Sequence, residues 1–169
     1  MKRVTHLVIL TAALLMVFTA CGGSGTEEGG AANSGSGTTD PDQLAEEIVS
    51  RYMECMDELK SMVEDRPEPD VLKPQLENLV DRYSGVFLEI GYRVDENDSS
   101  TVDDIGRAVM NELYRYDIQW LSEASSHYHS MDTELSALLS EVNIITQYAF
   151  FELLEDQRPE EAERLGVAD

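Results

Sequence analysis

The sequence predicts an all-α fold, an up-and-down four-helix bundle behind a disordered N-terminal tether. Between residues 40 and 158, apolar side chains recur at intervals of three and four residues in four successive segments, which is the spacing of one face of a helix. No stretch of useful length in this region alternates apolar and polar residues with a period of two, so no sheet is predicted. Short connections between long helices favour antiparallel neighbours, and the simplest arrangement is a bundle.

The first predicted helix begins with Asp40 as its N-cap and Pro41 at its first position, an order that suits the unpaired amides of a helix start. Arg66-Pro67 ends it, because proline disfavours helical backbone at the residue before it. Its apolar stripe consists of Leu44, Ile48, Tyr52, Cys55, Leu59 and Met62.

The second predicted helix begins at Asp70 and stops at Gly91, since glycine commonly follows the last turn of a helix. The segment 95–100 that follows is polar and reads as a loop. The apolar stripe of this helix consists of Leu72, Leu76, Leu79, Tyr83, Phe87 and Ile90.

The third predicted helix is capped by Ser100 or Thr101, and its stripe consists of Val102, Ile105, Val109, Leu113, Tyr116 and Trp120. The fourth begins near Ser130 and is closed by Arg158-Pro159, with a stripe of Leu135, Leu138, Val142, Ile145, Ala149 and Leu153. The bundle is therefore predicted over 40–158. A tail over 159–169 follows, with a short helical turn at 160–165.

The first 20 residues have the features of a secretory signal. Lys2 and Arg3 precede a largely apolar stretch, 4–20, that contains no acidic residue and is short for a membrane span. The stretch ends in Phe18-Thr19-Ala20-Cys21, which resembles the lipobox of bacterial lipoprotein precursors. That resemblance implies cleavage before Cys21 and acylation of Cys21, with fatty acyl chains such as palmitate holding the protein on a bilayer.

The segment 22–39 contains almost only Gly, Ser, Thr, Ala, Asn and Glu. Such a composition cannot bury enough apolar surface to offset the entropy of ordering, so a flexible tether is expected. Gly22 after the cysteine fits the lipoprotein pattern for sorting to the outer membrane if the cell has two membranes. In a cell with one membrane, the same resemblance implies its outer leaflet.

The chain is strongly acidic, with 34 Asp and Glu against 12 Lys and Arg and a formal net charge of −22. Nucleic acid is excluded as a partner, because it is a polyanion that such a chain repels. Neutral or basic partners are expected. Two explanations account for the acidity, an acidic binding face and a solubility adaptation to a salty medium.

The last two predicted helices carry more apolar side chains than one buried stripe needs. Large apolar groups left facing water usually mark a contact surface, so a protein partner or a second copy is one explanation. An irregular bundle that buries both stripes, or a C-terminal segment folded back over them, would also account for the excess. The candidate interaction surface consists of Met110, Tyr114, Ile118, Leu121, Ile144, Tyr148 and Phe151.

Metal and catalytic sites are weakly supported. Imidazole and thioether ligands together suit copper, and the residues that would form such a site are His127, His129, Met131 and Glu123. No di-iron, haem or zinc spacing occurs, and no nucleophile lies in a recognisable catalytic motif. The sequence thus predicts a lipid-anchored, non-catalytic protein-interaction module without a cofactor, the alternative being a bundle that binds a metal or small ligand.

Overall fold

The computed structural model describes residues 40–168, and this part of the chain consists of helices and their connections, without a strand. The all-α prediction is confirmed. The expected signal segment, Cys21 and the expected tether lie outside the described residues. The helices are α1 (Pro41–Val63), α2 (Pro69–Asp95), α3 (Ser99–Leu113), α4 (Gln119–His129), α5 (Thr133–Asn143), α6 (Phe151–Gln157) and α7 (Pro159–Leu165), with a 3₁₀ segment at Ile145–Ala149 between α5 and α6.

Helix α1 forms as its sequence predicts. The Asp40 carboxylate accepts a hydrogen bond of 3.1 Å from the Asp42 amide, and Pro41 occupies the first turn. Five of the six predicted stripe residues are buried and Met62 is half-buried. After the helix, Arg66 adopts a positive φ of 49° directly before Pro67, so the chain turns sharply towards α2.

Helix α2 continues through Gly91 to Asp95, so the predicted stop at Gly91 is wrong. Gly91 instead marks a close approach between α2, the 3₁₀ segment and the start of α6. A Cβ at this position would lie 2.4 Å from Cε1 of Phe151 and 2.7 Å from the carbonyl oxygen of Tyr148. The absence of a side chain therefore allows a neighbouring backbone to pack directly on the helix.

The third predicted helix is interrupted between α3 and α4, at residues 114–118. In this break the Asp117 side chain accepts a hydrogen bond of 3.0 Å from the Gln119 amide, the first amide of α4. Aspartate competes in this way with the backbone bonds of a continuous helix. The Tyr116 hydroxyl, also in the break, donates to the Asp57 carboxylate of α1 at 3.0 Å.

The fourth predicted helix is interrupted by the 3₁₀ segment. Ile144, Ile145 and Thr146 are three consecutive β-branched residues, and such residues lose rotamer freedom in an α-helix. The 3₁₀ segment packs on α2, and Ile145, Tyr148 and Ala149 are buried there. Phe150 then adopts extended backbone and starts α6.

The chain still follows four paths, each running in the opposite direction to the one before it along the chain. Helices α1 and α2 pack against each other, α3 packs on α1, and α5 with the 3₁₀ segment packs on α2, while α4 packs against α5. The end of α4 is held at the α1–α2 connection, where the Tyr128 hydroxyl donates to the Pro67 carbonyl at 2.9 Å. The third path is thus α3 with α4, and the fourth is α5, the 3₁₀ segment and α6.

The folded region continues past the predicted boundary at residue 158. The predicted helical turn over 160–165 is present as α7, which ends at Gly166 with a positive φ of 72°. Ala162 of α7 is buried, and Leu165 and Val167 pack against the core. Helix α7 is therefore part of the packed structure.

Candidate functional site: an apolar groove with an acidic rim

The seven residues predicted as one interaction surface do not share an environment. Leu121 and Tyr148 are buried, with 5 % and 2 % of their surface exposed, so the prediction is wrong for these two. Ile118 and Phe151 are half-buried. Met110, Tyr114 and Ile144 are exposed, at 65 %, 92 % and 39 %. The irregular backbone and the packing of α7 account for part of the apolar excess, and a smaller exposed set is left.

Tyr148 lies at the centre of a polar network that ties α7 to the bundle. Its hydroxyl donates to Oε1 of Glu161 at 3.0 Å and accepts from Nη1 of Arg158 at 3.1 Å. Arg158 also donates through Nη2 to Oε1 of Glu141 at 2.9 Å. Burial, with the acceptor Glu161 beside it, raises the pKa of the Tyr148 hydroxyl to about 12, so the hydroxyl stays protonated and remains a donor.

The same network makes stability sensitive to acid through Glu161. Hydrogen bonds from Arg164 and from the Tyr148 hydroxyl lower the pKa of Glu161 below the ordinary 4.5. A lowered folded-state pKa contributes stability above the unfolded-state value and loses it as the pH falls through the folded-state value. We expect the wild type to lose more stability than Glu161→Gln below pH 4.5, as measured by urea unfolding across pH. Glu160→Gln, a change at the exposed neighbour, should retain the wild-type profile, and parallel profiles for all three proteins would contradict the assignment.

A groove runs between α3 and the start of α6, with a volume of about 460 Å³. We call it the α3–α6 groove. Met110 and Leu153 are its most exposed apolar residues, at 65 % and 40 %. The other apolar residues that line it are Val94, Val102, Gly106, Val109, Phe150 and Phe151. An apolar concavity of this size that stays open to solvent is the usual form of a binding site.

Gly106 forms a notch in the floor of the α3–α6 groove. It lies in the interior of α3, where glycine is less stable than alanine by about 0.5–1 kcal/mol. A Cβ placed there would meet only Cε1 of Phe150, at 3.8 Å, which is ordinary van der Waals contact. Packing within the chain therefore does not require glycine at this position, in contrast to Gly91.

The rim of the groove is acidic. The carboxylates of Asp95, Asp103 and Glu152 line it and are exposed, and within residues 40–168 none of the three takes part in an ion pair. The one basic residue of the lining, Arg107, forms an ion pair with Asp104 on the same helix. The groove therefore presents apolar floor residues beneath a net negative edge.

The residues considered for a soft metal lie near the end of α4. His127 packs edge-on against the Tyr128 ring, His129 and Met131 are exposed, and Glu123 accepts a bond from Gln119. Two positions apart on a helix, the histidines point in directions about 200° apart. Within residues 40–168, no cluster of three or more His, Cys, Asp and Glu side chains has the geometry to hold a metal ion. The structure thus does not bring these candidates together.

Cys55 is fully buried in the core and unpaired, as its place on the apolar stripe predicts. Burial, followed by the negative charge of Glu58, raises the pKa of its thiol to about 12. Since the thiolate is the reactive form, this cysteine packs as a small apolar residue.

Comparisons with protein-family models, with curated proteins and with solved structures find no match to this chain. The candidate site therefore depends on geometry alone. In the described part of the chain, no helix combines the length and the apolar character needed to cross a bilayer.

Sequence patterns indicated Met110 and Phe151 but missed other residues of the groove. Leu153 was predicted in a core stripe and is instead exposed at the rim. Gly106 and Phe150 were not singled out, although an interior glycine within an amphipathic helix is a detectable signal. The groove itself follows from the break before α6, which no local pattern specifies.

Proposed function

We propose that this chain is a lipid-anchored, acidic helical protein of the bacterial cell envelope, and that its bundle docks another protein without catalysing a reaction. The observation that carries the proposal is the α3–α6 groove, in which Met110 and Leu153 are exposed beside an acidic rim. Apolar side chains that are exposed together along one groove are a common mark of a protein-contact surface. The charge of −22 favours a neutral or basic partner.

The anchor is supported by the sequence Phe18-Thr19-Ala20-Cys21 and its resemblance to the lipobox. One acyl chain gives only reversible membrane binding, whereas two give stable anchoring. Eighteen tether residues, 22–39, would reach about 20–25 Å as a flexible chain. The bundle would then meet partners of the envelope at a raised local concentration, on the outer membrane or on the outer leaflet of a single membrane.

Replacing Cys21 with serine is expected to abolish acylation, because serine lacks the thiol that the diacylglycerol group alkylates. Membrane fractionation should find Cys21→Ser either soluble or as an uncleaved precursor, and mass spectrometry of the N-terminal peptide should find no acyl mass. Cys55→Ala is the matched control, since its buried thiol is not available and the anchor should persist. Native protein with an unmodified Cys21 thiol would refute the anchor.

Docking can be tested separately with a photo-crosslinking amino acid at Met110 in the full-length protein in cells. Met131 is the control position, because it is also exposed, at 48 %, but lies outside the α3–α6 groove. The proposal expects a defined protein adduct from position 110 and none from position 131. The absence of any protein adduct at position 110 would overturn the docking function.

A further inference from the structure

We infer that the α3–α6 groove binds a cationic amphipathic helix of the partner protein. This inference rests on the proposed docking function and specifies the chemistry of the occupant. The apolar face of the partner helix would contact Met110, Leu153 and Phe150, and its Lys or Arg side chains would lie against the acidic rim. An amphipathic helix in an apolar groove is a common mode of peptide recognition.

The shape of the groove favours a helix. Its lining on α3 extends along one side from Ser99 through Gly106 to Met110. At 1.5 Å per residue this distance is about 16 Å, or three helical turns. A compact small molecule would leave part of such a length uncovered, whereas three turns of a partner helix would match it and would bury both Met110 and Leu153.

Gly106 lies within this length, about one helical turn before Met110. Since no contact within the chain requires glycine there, its lack of a side chain is explained by an approach from outside. Small residues at a helix surface let a second helix come close. The notch would receive a large apolar side chain of the partner, flanked by Met110 on one side and Val102 on the other.

Charge selects a basic partner and disfavours a second copy of this chain. Asp95, Asp103 and Glu152 form no ion pair within residues 40–168, so their charges are available at the rim. A second copy would bring its own net negative charge to this edge, and like charges at an interface oppose association. The negative charges of the rim would instead attract basic side chains of a partner and so favour binding.

The test uses a labelled synthetic peptide of leucine and lysine, about four turns long, with its leucines on one helix face. Fluorescence anisotropy measures Kd for full-length protein purified in detergent, and amide chemical shifts map the contact. The controls are a scrambled peptide that cannot align its leucines, a leucine-glutamate peptide, and dodecyltrimethylammonium as a small cationic amphiphile. We expect only the ordered cationic peptide to bind tightly, with shifts confined to α3 and α6.

Substitutions then locate the site. Met110→Gln combined with Leu153→Gln should weaken binding by about tenfold or more, since two exposed apolar contacts are lost. Met131→Gln is the matched control and should leave Kd unchanged. Asp103→Asn combined with Glu152→Gln should raise Kd and flatten its dependence on salt. Thermal unfolding should stay near wild type for all variants, because each changed side chain is exposed.

Several results would overturn the inference. Equal binding of the scrambled peptide would indicate general attraction to an acidic protein, and binding of the amphiphile alone would assign the groove to a small ligand. Preference for the acidic peptide, or concentration-dependent dimers in sedimentation, would refute the charge argument. The cationic peptide could fail to bind while position 110 still gives a protein adduct in cells. That result would keep the proposed docking function and refute only the inferred cationic helix.

Discussion

Replacing Tyr148 with alanine is expected to lower the free energy of unfolding by about 3–5 kcal/mol, the range for deleting a buried aromatic side chain. The ring is 2 % exposed, between the 3₁₀ segment and the core. The change would also remove the hydroxyl that joins Arg158 to Glu161. The Arg158 guanidinium and the Glu161 carboxylate would each lose a hydrogen-bond partner while partly buried, and this loss adds to the free-energy cost of the cavity. Urea unfolding followed by circular dichroism measures the effect.

Two variants separate the causes. Tyr148→Phe keeps the ring and removes only the hydroxyl, so a smaller loss of about 1–3 kcal/mol is expected. Tyr114→Ala removes a tyrosine that is 92 % exposed and should change stability by no more than about 0.5 kcal/mol. Similar small losses for Tyr148→Ala and Tyr114→Ala would contradict the burial of Tyr148 and return it to the surface that the sequence predicted.

Replacing Gly91 with alanine is expected to destabilise the bundle by about 1–3 kcal/mol, although alanine is the better helix former. The added Cβ would lie 2.4 Å from the Phe151 ring and 2.7 Å from the Tyr148 carbonyl oxygen. The ring could move, but the carbonyl belongs to a backbone fixed by the 3₁₀ segment. Strain at this contact should therefore exceed the gain in helix propensity.

Gly85→Ala on the same helix is the matched control. No atom lies within 4 Å of a Cβ built at Gly85, so only the propensity gain applies, about 0.5–1 kcal/mol of added stability. Opposite signs for the two glycine substitutions are the expected result, with both read from thermal and urea unfolding. Stabilisation by Gly91→Ala would show that the fourth path does not pack against α2 in this way.

The first two helices could be predicted closely because their determinants are local. A capping aspartate, a proline in the first turn and a regular apolar stripe specify α1, and Tyr52, Cys55 and Leu59 are buried as the spacing requires. Gly91 shows where local reasoning failed. A glycine that ends a helix and one that admits a neighbouring backbone have the same sequence signal, and only the tertiary contact distinguishes them.

The third and fourth paths were predicted as continuous helices because their apolar spacing persists through both breaks. The break at residues 114–118 contains the bond from the Gln119 amide to the Asp117 side chain, which competes with the backbone bonds of a continuous helix. The 3₁₀ segment gains stability from its packing on α2, where Ile145, Tyr148 and Ala149 are buried. Such gains arise between elements, and a periodicity analysis of one segment does not contain them.

Less of the candidate site than of the fold could be predicted. The apolar excess pointed to both Met110 and Tyr148, and it could not separate the exposed Met110 from the buried Tyr148. The acidic composition anticipated a negative surface without locating it. The groove requires residues of α3 and of the start of α6 to line the same cavity, and the start of α6 is set by the interruption at the 3₁₀ segment.

The buried thiol of Cys55 provides a chemical probe of how often the core of the bundle opens. With Cys21 acylated, it would be the one free sulfhydryl in the chain. Because it is fully enclosed, a maleimide can reach it only in molecules whose core has opened, so labelling reports the frequency of that event. If the chain is anchored in an oxidising envelope as proposed, the same enclosure would keep two neighbouring molecules from becoming cross-linked through Cys55 while they remain folded.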